Sequence, residues 1–308
     1  MREVLEEGSF VGLNLTRRAR RTAYGALLGS SFLLLGACDA ETEKQIDRWA
    51  MPGNSPGTEQ GQLIFELWKG AWIAALVTGA ITWALIFYAC WRYRRRSEDE
   101  IPVQTRYNLP LEIFYTIAPI MMVIVFFAHT VRVQEAVLNE TPPPDNCVQV
   151  VGQQWQWTFN YNESCDNDNG PVVYTSGTGS NIPTLVLEEG KTTEFKLSSP
   201  DVLHSFWITG FLMKMDVIPG QTGDERNHFS VTPNKVGDYR GKCTELCGVY
   251  HSRMLFNVKV MDSADYAAYM DGLRKDPNST SDAPLLGGKY ATTTAGYDGD
   301  EHETGGHE

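Results

Sequence analysis

The stretch CTELCGVYHSRM, Cys243–Met254, decides how the folded part of this chain has to be built. Twelve residues hold two cysteines, a glutamate, a histidine and a methionine, although the chain of 308 residues has only 6 cysteines and 9 methionines. Thiolate, imidazole and thioether groups are ligands for soft and borderline metal ions. The stretch therefore predicts a tight loop between two strands in which these side chains converge on metal.

The spacing of the ligands is compatible with more than one metal. Zinc would take Cys243, Cys247 and His251, with the distant His204 as fourth ligand. Met254 favours copper, because a thioether is a poor ligand for zinc and a good one for copper. A single blue-copper site uses only one cysteine, so the second thiolate is explained if both sulfur atoms bridge two metal ions.

Charge and length narrow the class of protein. The net charge is −12, and no basic stripe occurs outside short patches beside apolar segments. This excludes nucleic acid as the expected partner and allows a cationic partner protein. The length predicts a domain with extra segments, and the mean hydropathy of −0.27 averages over three apolar runs.

The first apolar run, Ala23–Cys38, follows several arginines and ends in small residues. It is too short to span a bilayer comfortably, so residues 1–37 are predicted to be a signal peptide. The ending LGAC resembles a bacterial lipobox, which implies that Cys38 becomes the lipidated first residue. The alternative is an ordinary signal sequence with an incidental cysteine. In either case an exported segment, 38–68, follows.

The other two apolar runs, Ala71–Cys90 and Ile113–Val131, predict a two-helix transmembrane hairpin over residues 69–133. The sequence WRYRRR at 91–96 places the connection in the cytoplasm and both ends outside. Glu112, at the cytoplasmic start of the second helix, has two interpretations. It is a solvated carboxylate favoured by the helix dipole, or it is the entrance of a proton path.

A proline-rich linker, 134–146, leads into the exported domain, 147–262. Short alternating stretches such as WQWTFNY at 155–161 predict strands of a β-sandwich or barrel. A short helix is expected at 263–275 with Ser263 as its N-cap, followed by a flexible tail, 276–308. Cys147 and Cys165 are candidates for a disulfide in an oxidising compartment, the alternative being two free thiols.

The segments DVLHSFW (201–207), DVIPG (216–220) and GKCTELCGVYHSRM (241–254) resemble subunit II of haem–copper cytochrome c oxidases. The resemblance extends roughly from residue 59 to residue 273, and the pattern C-x-E-x-C-x₃-H-x₂-M is complete. It implies a membrane α-helical hairpin followed by an all-β, cupredoxin-like Greek-key sandwich or barrel.

The same resemblance implies a dinuclear copper centre of the CuA type. Cys243 and Cys247 would bridge the two coppers, with His204 and His251 as terminal ligands. Met254 would be a weak ligand to one copper.

Three further roles follow from the resemblance. Glu245 would offer its backbone carbonyl to the second copper, and its side chain would reach a magnesium ion shared with the catalytic subunit. Trp155, in GQQWQWTFNY, matches the tryptophan through which electrons enter, although it also fits one core face with the aromatic residues that follow it. Glu112, in LEIFYTIAP, would lie at the entrance of a proton path into the catalytic subunit.

The function implied is electron transfer within a respiratory oxidase of the cell membrane. Electrons would pass from cytochrome c to copper and on to haem in subunit I, which reduces O₂ to water coupled to proton translocation, with subunit III as a further partner. The chain has no C-x-x-C-H motif, so any haem belongs to a partner. The lipobox and the segment between Cys147 and Cys165 are not general in the family, and they suggest a membrane-bound or multihaem cytochrome c as donor.

Other classes explain less of the sequence. An exported, membrane-anchored copper-delivery lipoprotein accounts for the soft ligands but not for a second membrane helix or two bridging thiolates. A structural zinc domain is disfavoured by Met254. Quinol-oxidase subunits lack the copper ligands, so Cys243 and Cys247 exclude them, and the copper domain of nitrous oxide reductase lacks the helical hairpin.

Overall fold

The computed structural model describes residues 48–52, 55–101, 103–139, 143–162, 165, 169–177 and 181–287. The predicted signal peptide, the predicted lipidation site Cys38 and the second part of the predicted tail lie outside these residues.

Two long helices, α1 (Glu59–Arg92) and α2 (Leu109–Val137), are long and apolar enough to cross a membrane. Each extends beyond the apolar run from which it was predicted. Residues 134–137, at the start of the predicted linker, therefore belong to α2. The early start of α1 has a local cause, since the side chain of Thr58 accepts a hydrogen bond from Gly61 N at 2.9 Å and caps the helix.

The start of α1 is bonded to the β-structure that follows later in the chain. Glu59 N donates to Thr232 O at 3.0 Å, and Thr232 N donates to Gln60 Oε1 at 2.9 Å. Gly61 is buried, and a side chain there would meet the backbone carbonyl of Phe211. These contacts hold the β-domain against the N-terminal end of α1.

The β-domain consists of short strands. Their bounds are β1 Asn146–Gln153, β2 Gln156–Asn162, β3 Val172–Ser176, β4 Thr184–Glu188, β5 Thr193–Ser198, β6 His204–Ile208, β7 Met213–Val217, β8 His228–Val231, β9 Gly237–Cys243, β10 Leu255–Met261 and β11 Thr280–Ser281. Helix α3 (Ser263–Lys275) follows β10.

The strands form two sheets that pack as a sandwich. The six-stranded sheet has the order β11-β3-β2-β1-β5-β8, and the five-stranded sheet has the order β4-β10-β9-β6-β7. The turn at Glu189–Gly190 does not close a hairpin, because β4 and β5 belong to different sheets, and the same holds for β8 and β9. Such crossings between sheets produce a Greek-key sandwich, which confirms the predicted fold class.

Aromatic rings fill the space between the sheets. Trp157 and Phe159 of β2 meet Phe206 of β6 and Phe256 of β10, and the rings of Phe206 and Phe256 stack at 4.9 Å. All four side chains are fully buried. Since β6 and β10 also carry or adjoin the predicted metal ligands, this core fixes the backbone on which the ligands stand.

Residues 276–287, the first part of the predicted tail, contact the six-stranded sheet. Strand β11 pairs with β3 at the edge of the six-stranded sheet. Further along, the buried side chain of Asn160 makes two hydrogen bonds to the backbone of Leu285. It donates to the carbonyl at 3.1 Å and accepts from the N–H at 2.9 Å. The segment runs over the outer face of the sheet, which explains why both faces of β2 are buried.

The N-cap of α3 also differs from the prediction. Asp262, not Ser263, caps the helix, and its carboxylate accepts from the N–H groups of Ala264 and Asp265 at 3.0 and 2.9 Å. An aspartate at this position adds a negative charge beside the positive end of the helix dipole, which favours it over the neighbouring serine.

The close pairing of β9 and β10 yields a stability prediction. A methyl group at Gly241 would overlap the ring of Phe256. We expect Gly241→Ala to lower the free energy of unfolding by about 1–3 kcal/mol through overpacking. Thermal unfolding of the detergent-solubilised chain, followed by circular dichroism, measures the change.

Gly272→Ala is the matched control, because nothing lies near a methyl group at that exposed position of α3. This change should raise stability by up to about 1 kcal/mol through helix propensity. Equal effects of the two substitutions would contradict the packing argument.

Candidate metal centre

Sheet topology brings the predicted ligands to one edge of the five-stranded sheet. Strand β6 begins at His204, β9 ends at Cys243, and β10 begins directly after Met254. Strand β9 runs antiparallel to both β6 and β10, so the start of β6, the end of β9 and the start of β10 lie side by side. The loop 244–254 closes over this edge, held by the hydrogen bond from Cys243 N to Met254 O at 3.0 Å.

Two sulfur atoms and two imidazoles form the centre of the cluster. The Sγ atoms of Cys243 and Cys247 lie 3.8 Å apart. Nδ1 of His204 is 3.8 Å from Cys243 Sγ, and Nδ1 of His251 is 3.6 Å from Cys247 Sγ. Each thiol therefore has an imidazole nitrogen beside it.

Two further donor atoms complete the cluster. The Sδ atom of Met254 lies 3.8 Å from Cys247 Sγ, and the backbone carbonyl oxygen of Glu245 lies 3.2 Å from Cys243 Sγ. The structure thus brings together all the donors that the sequence suggested, two thiols, two imidazoles, one thioether and one carbonyl.

The cluster is shielded from water on most sides. His204 and Met254 are fully buried, and each cysteine is only 4% exposed. His251 is half-buried, which places it toward the surface.

The two thiols influence each other's protonation. The hydrogen bond from the Cys247 thiol lowers the pKa of Cys243 well below its usual value, and the same interaction raises the pKa of Cys247 above its usual value. One negative charge is therefore stable here, whereas ionising both thiols needs a cation between them. The arrangement suits metal binding, because metal ions bind thiolates and displace protons.

His204 is oriented by an aspartate three residues earlier. Its Nε2 lies 2.9 Å from Asp201 Oδ1, which leaves Nδ1 facing the sulfur atoms. Burial acts to lower the pKa of His204, but the bonds to Asp201 and Cys243 outweigh it and the pKa is raised. Burial acts to raise the pKa of Asp201, yet the hydrogen bonds from His204, Gln154 N and Val202 N lower it overall.

The turn between β1 and β2, in the other sheet, covers the metal loop. Trp155 Nε1 donates to the carbonyl of Cys247 at 3.2 Å, and Gln154 Nε2 donates to the same carbonyl at 2.7 Å. The ring of Tyr250 meets Trp155 edge-on at 5.0 Å. Gly248 has φ +120° and approaches the indole so closely that a side chain would crowd it.

Trp155 lies in this turn, and strand β2 begins one residue later, at Gln156. Its side chain is 7% exposed and belongs to the core cluster. Core packing and contact with the metal loop are thus both present at Trp155.

Glu112 lies apart from the cluster, in the first turn of α2. Its carboxylate accepts from Asn108 N at 2.9 Å, while Asn108 Oδ1 accepts from Leu111 N at 3.3 Å. The side chain therefore takes part in capping the helix, the simpler of its two interpretations.

Cys147 and Cys165 form a disulfide with their Cα atoms 5.3 Å apart. The bond links the start of β1 to the connection between β2 and β3. Trp155 lies beyond the other end of β1, in the turn to β2.

Asp201 and Gln154 were not among the candidates from the sequence. Asp201 had a weak signal, since a carboxylate three residues before a candidate histidine ligand is a common partner for the second ring nitrogen. Gln154 had no such signal, because only the folded turn brings its side chain to the metal loop.

A β-sandwich with a buried cluster of soft ligands, joined to two helices of membrane length, defines the class of membrane-anchored proteins with a candidate metal site. Residues 146–261 match the family model described as cytochrome C oxidase subunit II, periplasmic domain. The chain belongs to the cytochrome c oxidase subunit II family, and it is a subunit of a haem–copper oxidase.

Two relatives illustrate the match. The probable cytochrome c oxidase subunit 2 of Streptomyces avermitilis is 42% identical over 291 residues, covering 84% of this chain and 89% of the relative. Cytochrome c oxidase subunit 2 of Mycobacterium tuberculosis is 33% identical over 302 residues, covering 82% of both.

Solved structures show weaker likeness. The periplasmic domain of subunit II of cytochrome oxidase from Bradyrhizobium japonicum is 26% identical, covers 44% of this chain and 96% of that chain, and gives a TM-score of 0.37. A chain of a heme-copper terminal oxidase dimer is 18% identical, covers 63% of this chain and 98% of that chain, and gives a TM-score of 0.27.

The family assignment made from the motif is confirmed by these matches. The family domain implies a copper centre, and His204, Cys243 and Cys247 form a group able to hold a metal. The alternative of a copper-delivery lipoprotein is not favoured.

Proposed function

We propose that this chain is the electron-transfer subunit of a respiratory haem–copper oxidase. It would accept electrons from cytochrome c at a dinuclear copper centre and pass them to haem in the catalytic subunit, where O₂ is reduced to water with proton translocation. The chain alone would only transfer electrons. The observation that carries the proposal is the pair of thiols 3.8 Å apart with an imidazole beside each.

The donor set fits two copper ions better than one. A mononuclear blue-copper site would use only one of the thiols Cys243 and Cys247, although both are buried at the centre of the cluster. Cys243 and Cys247 would together hold two coppers, with His204 and His251 as further ligands. Such a centre would supply electron transfer with little change in geometry.

Met254 supports copper over zinc, and Glu245 offers a further donor. The thioether of Met254 is fully buried and directed at the cluster. A thioether is a poor ligand for zinc and a good one for copper. The Glu245 carbonyl adds a hard donor beside the other thiol. We assign Met254 and the Glu245 carbonyl as weak ligands, and the half-buried Glu245 side chain as a ligand for magnesium shared with the catalytic subunit.

Trp155 is proposed as the point of electron entry. Its indole N–H is bonded to the carbonyl of Cys247, so the ring lies one hydrogen bond away from a ligand residue. Tyr250 packs against it from the metal loop. The donor would be cytochrome c, soluble, membrane-bound or multihaem, and its haem lies outside this chain.

Several assignments rest on sequence. Glu112 is proposed as the entrance of a proton path, and Cys38 as the lipidated residue after a signal peptide. Helices α1 and α2 are proposed to span the cell membrane, with the copper domain on the exported side and subunits I and III as partners. The disulfide between Cys147 and Cys165 fits that oxidising side.

The central test is electron paramagnetic resonance of the full chain after reconstitution with copper. We expect hyperfine structure from two equivalent copper nuclei that share one electron. In Cys247→Ser this signal should be lost, because one bridging thiolate is gone. A single-copper signal from the unaltered chain, or tight zinc binding without copper, would overturn the proposal.

Met254→Leu tests the weak-ligand role. We expect copper to be retained, since the substitution conserves volume, and the reduction potential to rise, because an electron-donating ligand is removed. Redox titration of the copper absorption bands measures the shift. Met270→Leu, at a buried position of α3, is the control and should leave the potential unchanged. Complete loss of copper in Met254→Leu would contradict the assignment.

Trp155→Ala tests the entry role. Reduction of copper by cytochrome c should slow several-fold while the copper spectrum stays intact, because the indole contacts the loop without being a ligand. Stopped-flow reduction kinetics measure the rate. Trp207→Ala, which removes a half-buried indole stacked under Lys242, is the control. An unchanged rate in Trp155→Ala would assign Trp155 to the core alone.

A further inference from the structure

A chain of hydrogen bonds outside the donor cluster connects its two halves. Nε2 of His204 is bonded to Asp201 Oδ1 at 2.9 Å, and Asp201 Oδ2 accepts from Gln154 N at 2.7 Å. The side chain of Gln154 then donates to the carbonyl of Cys247 at 2.7 Å. The path leads from the first histidine, through the turn of the opposite sheet, to the second cysteine.

The Asp201 carboxylate is saturated with donors. Oδ1 accepts from the His204 ring and from Val202 N at 2.6 Å, and Ser199 Oγ lies 3.2 Å away. Oδ2 accepts from Gln154 N. Both oxygens thus act as hydrogen-bond acceptors, the role for which a carboxylate is suited.

Each bond in this path restrains a different part of the site. The bond to Asp201 keeps the proton of His204 on Nε2, so the lone pair of Nδ1 points toward the sulfur atoms. The bond from Gln154 to Cys247 holds the loop against the turn. Trp155, the next residue after Gln154, belongs to that turn and donates to the same carbonyl.

We infer that Asp201 and Gln154 are positioning residues, which form a hydrogen-bonded relay that holds His204, the loop at Cys247 and the Trp155 turn in one fixed arrangement. The relay joins segments that are distant in the chain and belong to different sheets. It therefore sets both the direction of a copper ligand and the contact through which electrons enter. This inference rests on the proposed copper function.

The chemistry of an amide at position 201 gives a sharp test. In Asp201→Asn one oxygen becomes an NH₂ donor of the same size. If that NH₂ faces Gln154 N–H, the turn loses its anchor. If it faces His204, the ring loses its acceptor and the Nδ1 lone pair is no longer held toward the sulfurs. Neither orientation preserves both bonds.

The experiment uses the complete oxidase carrying Asp201→Asn or Gln154→Ala in this subunit. For Asp201→Asn we expect copper affinity, measured by competition with a chelator, to fall by about 10- to 100-fold, and the hyperfine pattern to change. For Gln154→Ala, which keeps the backbone bond to Asp201, we expect a nearly normal copper spectrum. Its reduction rate at saturating cytochrome c should fall with KM unchanged.

Asp271→Asn is the matched control. It removes the same charge from an exposed carboxylate on α3 that pairs only with Arg274 among the described side chains. We expect normal affinity, spectrum and kinetics. If Asp201→Asn hampers assembly, Gln154→Ala still tests the relay, because its effect on the reduction rate does not depend on loss of copper.

The outcomes separate the relay from the proposed function. If the unaltered oxidase shows the two-copper signal and both relay variants behave like Asp271→Asn, the relay is overturned and the proposed function stands. If the unaltered oxidase lacks that signal, the proposed function fails and the relay loses its role with it.

Discussion

The sulfur atoms of Cys243 and Cys247 are held 3.8 Å apart in a site from which water is largely excluded. Two ionised thiols at this distance repel each other, and burial removes the water that would screen them. The protein therefore keeps one of the two thiols protonated, or it binds cations between the sulfurs. The surrounding structure serves to hold this pair together and to surround it with neutral donors.

The order of the strands brings the two thiols and the other donors together. Because β9 lies between β6 and β10 and is antiparallel to both, the two ligand segments approach each other at one edge of the sheet. The aromatic core beneath, with Phe206 stacked on Phe256, keeps β6 and β10 from shifting. A rigid backbone of this kind is what a metal centre needs if its geometry is to stay the same in two oxidation states.

The six-stranded sheet covers the cluster and orients one of its donors. Its turn at Gln154–Trp155 reaches across the open edge and binds the carbonyl of Cys247 twice. The same turn receives the carboxylate of Asp201, which also orients His204. The closure of the sandwich thus protects the site, aligns a ligand and places an aromatic ring beside it through a single short segment.

The linear sequence determined the donor types, their spacing, the two long apolar helices and the all-β character, because each depends on residues near one another in the chain. The tertiary structure decided what depends on distant segments. Residue 276 onward lacks a strong pattern, yet Asn160 orders the segment through Leu285 by hydrogen bonds that span 125 residues. Only the folded sandwich shows that β4 and β5 belong to different sheets, and that Gln154 and Asp201 meet beside the candidate metal site. Local periodicity reports the face and length of an element, whereas its partners are chosen by packing across the whole domain.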